Sequence, residues 1–147
     1  MRITTRSRYG VRAMMELALR EGTGRVQAQE IAAAQDISPG YLEHLLAALR
    51  KASLVRSVRG QHGGYELARA AEQITLREIV EALEGPIAPL ECVDDSASCE
   101  RADRCAARDV WCKVAEAVSH TLEEMTLGAL CRRQRELWEA SPLMFRI

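Results

Sequence analysis

Apolar residues recur at helical spacing over the first fifty positions. Between residues 6 and 21, Tyr9, Ala13 and Leu17 share one stripe with Met14 and Ala18 beside it, and Gly22-Thr23-Gly24 ends the run. A shorter helix is expected over residues 28–35, with Ile31 and Ala32 turned inward. After a break at Ile37, Ser38 can cap the free amides of the next turn. Pro39 suits the first helical position, where its missing N–H costs nothing. The third helix then runs to Lys51 and buries Leu42, Leu45, Leu46 and Leu49. Residues 54–58 read as a strand and residues 65–67 as its return. Between them, three glycines in Arg59-Gly60-Gln61-His62-Gly63-Gly64 permit a tight, exposed loop.

A short helix, a tight turn, a capped helix and an Arg-tipped hairpin, in that order, make a winged helix-turn-helix. Beyond it, Thr75-Leu76-Arg77-Glu78 is a capping box, opening a helix that Gly85-Pro86 ends. Residues 87–103 read as irregular, with Pro89 and the acids Glu91, Asp94, Asp95, Glu100 and Asp103. A long helix follows over residues 103–125. Its Trp111, Val114, Val118, Leu122 and Met125, at steps of 3, 4, 4 and 3, form one apolar stripe. Thr126 is expected to cap a last short helix ending at Leu130. The fold class is therefore mainly α with a small β-hairpin: a winged helix-turn-helix domain plus a long dimerisation helix. By residue, these are a DNA-binding domain over 1–85, a cysteine-containing loop over 86–104, the dimerisation and capping helices over 105–131, and a tail over 132–147.

The long stripe has two readings. It can lie against the winged domain as core, or pair with its copy in a homodimer. The second is adopted, because one small winged domain leaves a helix of about 22 residues under-covered. Two-fold proteins also read paired half-sites in DNA.

Composition narrows the class. With 48% apolar and 28% charged residues among 147, the chain can bury a core and is not disordered. No apolar run approaches the roughly 18–20 residues of a membrane span. Residues 1–6 carry charge but no apolar signal core, so the protein is expected to be cytoplasmic and to have no membrane partner. The net charge of −1 hides an asymmetry. Residues 1–66 hold ten bases against six acids, and residues 67–147 hold ten against fifteen. A basic first half joined to an acidic second half suggests that one lobe meets a polyanion.

The third helix would present Ser38, Gly40, Tyr41, Glu43 and His44 to double-stranded DNA. A glutamate in the major groove can accept from cytosine N4, and a serine can reach phosphate or base. The wing would add Ser57, Arg59 and Gly60, with Arg59 suited to a narrow, electronegative minor groove. Arg2, Arg6, Arg8 and Arg56 are available for phosphates. Singly, Glu43 is a solvated helix residue and Arg59 a loop charge; beside the wing and the basic half, they argue for DNA.

Five cysteines, an odd number, do not make a complete disulfide framework. Cys92, Cys99 and Cys105 lie close together in the irregular polar segment, as wrapping thiolates around a metal centre requires. The pattern is Cys-x6-Cys-x5-Cys. Zinc and iron–sulfur clusters both use thiolates and usually want four ligands. The fourth stays open: Arg108 does not bind metal, Cys112 lies about 10.5 Å along the helix from Cys105, and Asp109 is nearer but harder. Cys112 and Cys131 read as small apolar packing residues.

Three passages carry a resemblance. They are Arg6-Ser7-Arg8-Tyr9-Gly10-Val11-Arg12-Ala13-Met14, the Ile37-Ser38…Tyr41-Leu42-Glu43 helix, and Val58-Arg59-Gly60…Gly63-Gly64-Tyr65. With Thr126-Leu127-Gly128 after the cysteines, the chain resembles the winged-helix regulator family of the iron–sulfur cluster regulator IscR. That group also includes the nitric-oxide sensor NsrR and the cysteine-metabolism repressor CymR. The resemblance covers the chain to about residue 135. It implies a homodimeric transcription regulator, not an enzyme, that binds operator DNA and holds a [2Fe-2S] cluster near the dimer helix, commonly controlling cluster-assembly genes. By position, Cys92, Cys99 and Cys105 fall on the cluster cysteines, and Glu43 and Arg59 on DNA-reading positions. Three departures stand out: Arg108 where well-known members have His, Arg8 where the nitric-oxide sensors have an acid, and Gln61-His62 where Pro-Gly is common. Three other readings remain: a cluster-free repressor of this fold responding to a partner or small molecule, a structural zinc site, and a redox protein that does not bind DNA.

Overall fold

The computed structural model describes residues 3–141. Helix α1 (Thr5–Leu19) begins at Thr4, whose side chain accepts from the Arg6 amide. It packs across α2 (Ala28–Gln35) and α3 (Pro39–Lys51), and Met14, Ile31, Leu42, Leu45, Leu46 and Leu49 meet in a core with almost no solvent exposure. Ser38 and Pro39 start α3 as the sequence indicates.

The two helix ends were harder to foresee, because neither uses glycine. Asp36 and Ser53 adopt positive φ angles of 52° and 59°. At α2, the Ile37 amide returns to the Ala32 carbonyl; at α3, the Leu54 amide returns to the Leu49 carbonyl at 3.0 Å. Each bond turns the chain sharply while satisfying a helix-end carbonyl.

Strands β1 (Val55–Val58) and β2 (Gly64–Leu67) form an antiparallel hairpin, with Ser57 opposite Tyr65 and Val58 opposite Gly64. Val26 closes the hairpin's free edge through two backbone hydrogen bonds with Tyr65, at 3.0 and 2.8 Å. The wing is thereby fixed to the helical body one residue pair below its turn.

Helix α4 (Leu76–Glu84) opens with the Thr75–Glu78 capping box and buries Leu76, Ile79, Val80 and Leu83. The segment expected to be irregular holds a one-turn helix, α5 (Glu91–Asp94), and 3-10 turns at Ser96–Ser98 and Ala102–Arg104. Helix α6 (Ala106–Glu124) starts three residues later than its sequence pattern suggested, and only Ala115 along it is buried.

Helix α7 (Leu127–Ala140) corrects the expected short helix and part of the expected tail. Thr126 does cap it, but it continues ten residues past Leu130. No helix breaker stands between Gly128 and Ser141, and Cys131 is buried where α7 packs on α1. The remainder of the expected tail, residues 142–147, lies outside the described residues. The joint between α6 and α7 is pinned to the start of α4. The Leu76 amide donates to the Met125 carbonyl and the Leu127 amide to the Ile74 carbonyl, both at 2.8 Å.

Candidate functional site

Two places carry the chemistry: the face shared by α3 and the wing, and the cysteine loop. On the first, Glu43 and His44 are exposed in the N-terminal half of α3. Ser38 Oγ accepts the Tyr41 amide at 3.3 Å, which leaves its hydroxyl hydrogen as the outward group. Tyr41 is half-buried, its ring set edge-on to Tyr9 of α1 with centroids 6.2 Å apart. The Arg8 and Arg12 guanidiniums lie over that Tyr9 ring at 5.0 and 5.7 Å, so two α1 charges stand beside α3.

The wing presents Arg59 and Gly60 at its exposed tip. Gly60 has φ near +117°, a region a side chain would strain, and its carbonyl accepts the Gly63 amide at 3.0 Å to close the turn. Ser57 is half-buried on β1, and its Oγ accepts from Arg50 Nη1 at 3.0 Å. A cleft of about 400 Å³ runs between α3, the start of α2 and the wing. Glu43, Ser57, Arg59 and Gly60 line it together; Ser38, Tyr41 and His44 lie outside its lining, at the N-terminal end of α3. Arg56, one of the cations proposed for phosphate, is turned toward Glu66 at 3.6 Å. Arg2 is outside the described residues.

Arg50 was not among the residues read as functional, yet it lines this cleft. Its signal was present, since it lies seven residues after Glu43 and so on the same face of the helix.

In the second place, Cys92 sits in α5, Cys99 directly follows the Ser96–Ser98 turn, and Cys105 is the N-cap of α6. All three are half-buried, free thiols. Among the described residues, no three His, Cys, Asp or Glu side chains converge on a point where one metal ion would sit. The donor chemistry nevertheless suits a thiolate-held group: three free thiols on one short polar segment.

Three residues past Cys105, Arg108 Nε donates to the Cys92 carbonyl at 2.7 Å, tying α5 to the first turn of α6. Cys112 is half-buried and faces a cavity of about 550 Å³ together with Ile87 and Val93. Burial pushes the Cys131 thiol above its ordinary pKa, keeping it a protonated packing residue, as its sequence context suggested.

The loop connects physically to the face shared by α3 and the wing. Helix α6 packs on α4, where Arg77 bridges Glu81 at 3.0 Å and Glu123 of α6 at 3.5 Å. The far end of α4 carries Glu84, which is bonded to the start of α1, and α1 carries Tyr9 against Tyr41.

Comparison with known proteins agrees with this architecture. The family model described as "Rrf2: Iron-dependent Transcriptional regulator" matches residues 3–133. The protein Rrf2 of Nitratidesulfovibrio vulgaris is 42% identical over 132 residues, covering 90% of this chain and 88% of that protein. The transcriptional regulator CymR of Bacillus subtilis is 39% identical over 130 residues, covering 88% of this chain and 89% of that one. The solved structure of T. potens IscR superposes with a TM-score of 0.78 at 36% identity, covering 99% of this chain and 96% of that one. Similarity to Rrf2 and CymR is as high as to IscR, so these matches establish the common group and not the IscR member of it. Among the described residues, no helix is long and apolar enough to cross a membrane.

Proposed function

Because the chain belongs to the Rrf2 family of transcriptional regulators, we propose that it is a cytoplasmic homodimer that binds operator DNA, holds a [2Fe-2S] cluster on Cys92, Cys99 and Cys105, and controls iron–sulfur cluster assembly genes. DNA-binding regulation, rather than catalysis, is what its relatives share. The cluster, the dimer and the target genes are the proposal.

The observation that carries the cluster reading is the placement of three free, half-buried thiols on one loop between the winged domain and α6. When bound, a [2Fe-2S] group supplies a redox-active centre held by thiolates. The chain's own part is mechanical. Arg108 holds α5 to α6, α6 is hydrogen-bonded into the start of α4, and α4 holds the start of α1. A change in the loop on binding the group would therefore have a packed route to α3.

The dimer reading rests on uncovered apolar surface. Val110, Trp111 and Val114 are exposed on α6, and Met125 is exposed at its C-cap. A neighbouring groove of about 550 Å³ is lined by Ile3, Val11, Leu76, Val80 and Leu122. Contiguous apolar surface of this kind marks an association site, and a second α6 supplies the matching stripe.

The test is anaerobic reconstitution with iron and sulfide, followed by metal and acid-labile sulfide assay and a visible spectrum. About two iron and two sulfide per chain are expected, and Cys92→Ala, Cys99→Ala and Cys105→Ala should each lose them. Colourless protein containing zinc would replace the cluster with a structural metal. Protein that binds neither metal would leave a cluster-free repressor of the same fold.

A further inference from the structure

We propose that Arg50 and Ser57 together form a phosphate clamp at the corner where the recognition helix meets the wing, with Arg50 also orienting the Ser57 hydroxyl. The inference rests on the DNA-binding reading and deepens it, naming the group this corner takes as a backbone phosphate rather than a base edge.

The hydrogen bond between them fixes the polarity of the corner. Arg50 Nη1 donates to Ser57 Oγ at 3.0 Å. A guanidinium has five N–H donors and no acceptor, and this bond uses one of them. A serine hydroxyl has one hydrogen to give, and with Arg50 filling a lone pair that hydrogen points away from Arg50. Arg50 and Ser57 therefore offer donors at this corner, which suits the acceptor oxygens of a phosphate.

Charge supports the same choice. Arg25 and Arg56 share the Glu66 carboxylate, at 3.8 and 3.6 Å. Arg50 instead has a neutral hydroxyl as its partner, so its full charge faces the cleft it lines with Arg59. Glu43, on the same wall, is seven residues earlier in α3, about 10.5 Å along the axis. Base reading by Glu43 and phosphate gripping by Arg50 thus fall at opposite ends of one helix.

The corner is also rigid. Ser57 lies opposite Tyr65 in the hairpin, and Tyr65 is bonded on its other side to Val26. Arg50 springs from the last turn of α3, whose end is locked by the Leu54–Leu49 backbone bond. An arginine in a last helical turn also balances the helix dipole. That role alone would leave DNA affinity unchanged on its removal, and so the two roles separate by experiment.

The experiment measures binding of the full-length protein to a mixed-sequence duplex of about 30 base pairs from about 50 to 200 mM salt, because phosphate contacts act on any sequence. The variants are Arg50→Gln, Arg50→Lys, Ser57→Ala and the Arg50→Gln/Ser57→Ala pair, each checked for an unchanged melting temperature. Arg50→Gln should weaken binding about tenfold and make the plot of log affinity against log salt shallower by about 0.9 for each chain bound. Arg50→Lys should restore the slope but not the full affinity, since an ammonium lacks the planar fork. Ser57→Ala should weaken binding several-fold at unchanged slope, and the double variant should lose less than the product of the two single losses. Wild-type slope and affinity in Arg50→Gln would overturn the clamp. Wild-type protein that binds no duplex would instead overturn the DNA reading beneath it.

Discussion

The Ser7 hydroxyl at the start of α1 donates to Glu84 Oε1 at the end of α4, at 2.7 Å and 77 residues apart in sequence. The same oxygen accepts the Ser7 amide at 3.2 Å, the Thr4 amide at 3.0 Å and the Thr4 hydroxyl at 2.6 Å. A carboxylate from one helix thus satisfies the free amides of another and places negative charge at its positive end. Burial acts to raise the Glu84 pKa, but the hydrogen bonds from Thr4 and Ser7 outweigh it and hold the carboxyl below its ordinary value.

Glu84→Ala should therefore cost about 1–3 kcal/mol, as four hydrogen bonds to a charged acceptor are lost. The pH dependence has a definite sign. A carboxyl with a lowered folded pKa contributes stability that is present above the ordinary value of 4.5 and is lost as pH falls through the folded value. Urea unfolding across that acid range should show a shallower decline in Glu84→Gln than in wild type. Parallel declines would remove Glu84 from the account of acid sensitivity.

Gly10 sits where α1 meets α4, and a Cβ at that position would overlap Leu83 Cδ1. Leu83 is itself buried, so it has little room to retreat. Gly10→Ala should destabilise the protein by about 1–3 kcal/mol through overpacking. A denaturation midpoint at or above that of wild type would show that the two helices are not in such close contact.

The wing and the recognition helix should separate in function. Arg59→Ala should weaken binding to all duplexes while leaving iron and sulfide content unchanged. Glu43→Ala should broaden the sequences selected from a random pool, at a discrimination loss of about 1–3 kcal/mol, while keeping the salt dependence of binding. Unchanged selection in Glu43→Ala would place base reading elsewhere on α3.

Val114→Asp puts a charge into the exposed stripe of α6. If that stripe pairs two copies, the variant should sediment as a monomer and lose affinity for paired half-sites while keeping its helical content. A Val114→Asp dimer of wild-type stability would move the interface to another surface.

The parts legible in the sequence were those set by local chemistry. Ser38-Pro39, the Thr75–Glu78 capping box and the leucines of α3 announced their elements directly, and the wing glycines marked its turn. The ends of α2 and α3 were less visible, because Asp36 and Ser53 take conformations usually left to glycine. Helix α7 was cut short because its exposed Arg, Gln and Glu residues leave little apolar period after Cys131. Of the proposed site, residue type marks Glu43, Arg59 and the three cysteines. Arg50 and Glu84 make contacts across the fold, to Ser57 and to Thr4 and Ser7, which no local pattern displays.

On the proposed function, the state of the cysteine loop sets DNA affinity. Its most direct measurement compares the affinity of one preparation, before and after anaerobic reconstitution with iron and sulfide, for a duplex selected from a random pool. The two affinities should differ by about tenfold or more, a coupling of the size typical between linked sites, with the difference abolished in Cys92→Ala/Cys99→Ala/Cys105→Ala. Equal affinity in the two states, on every duplex selected by either one, would contradict it.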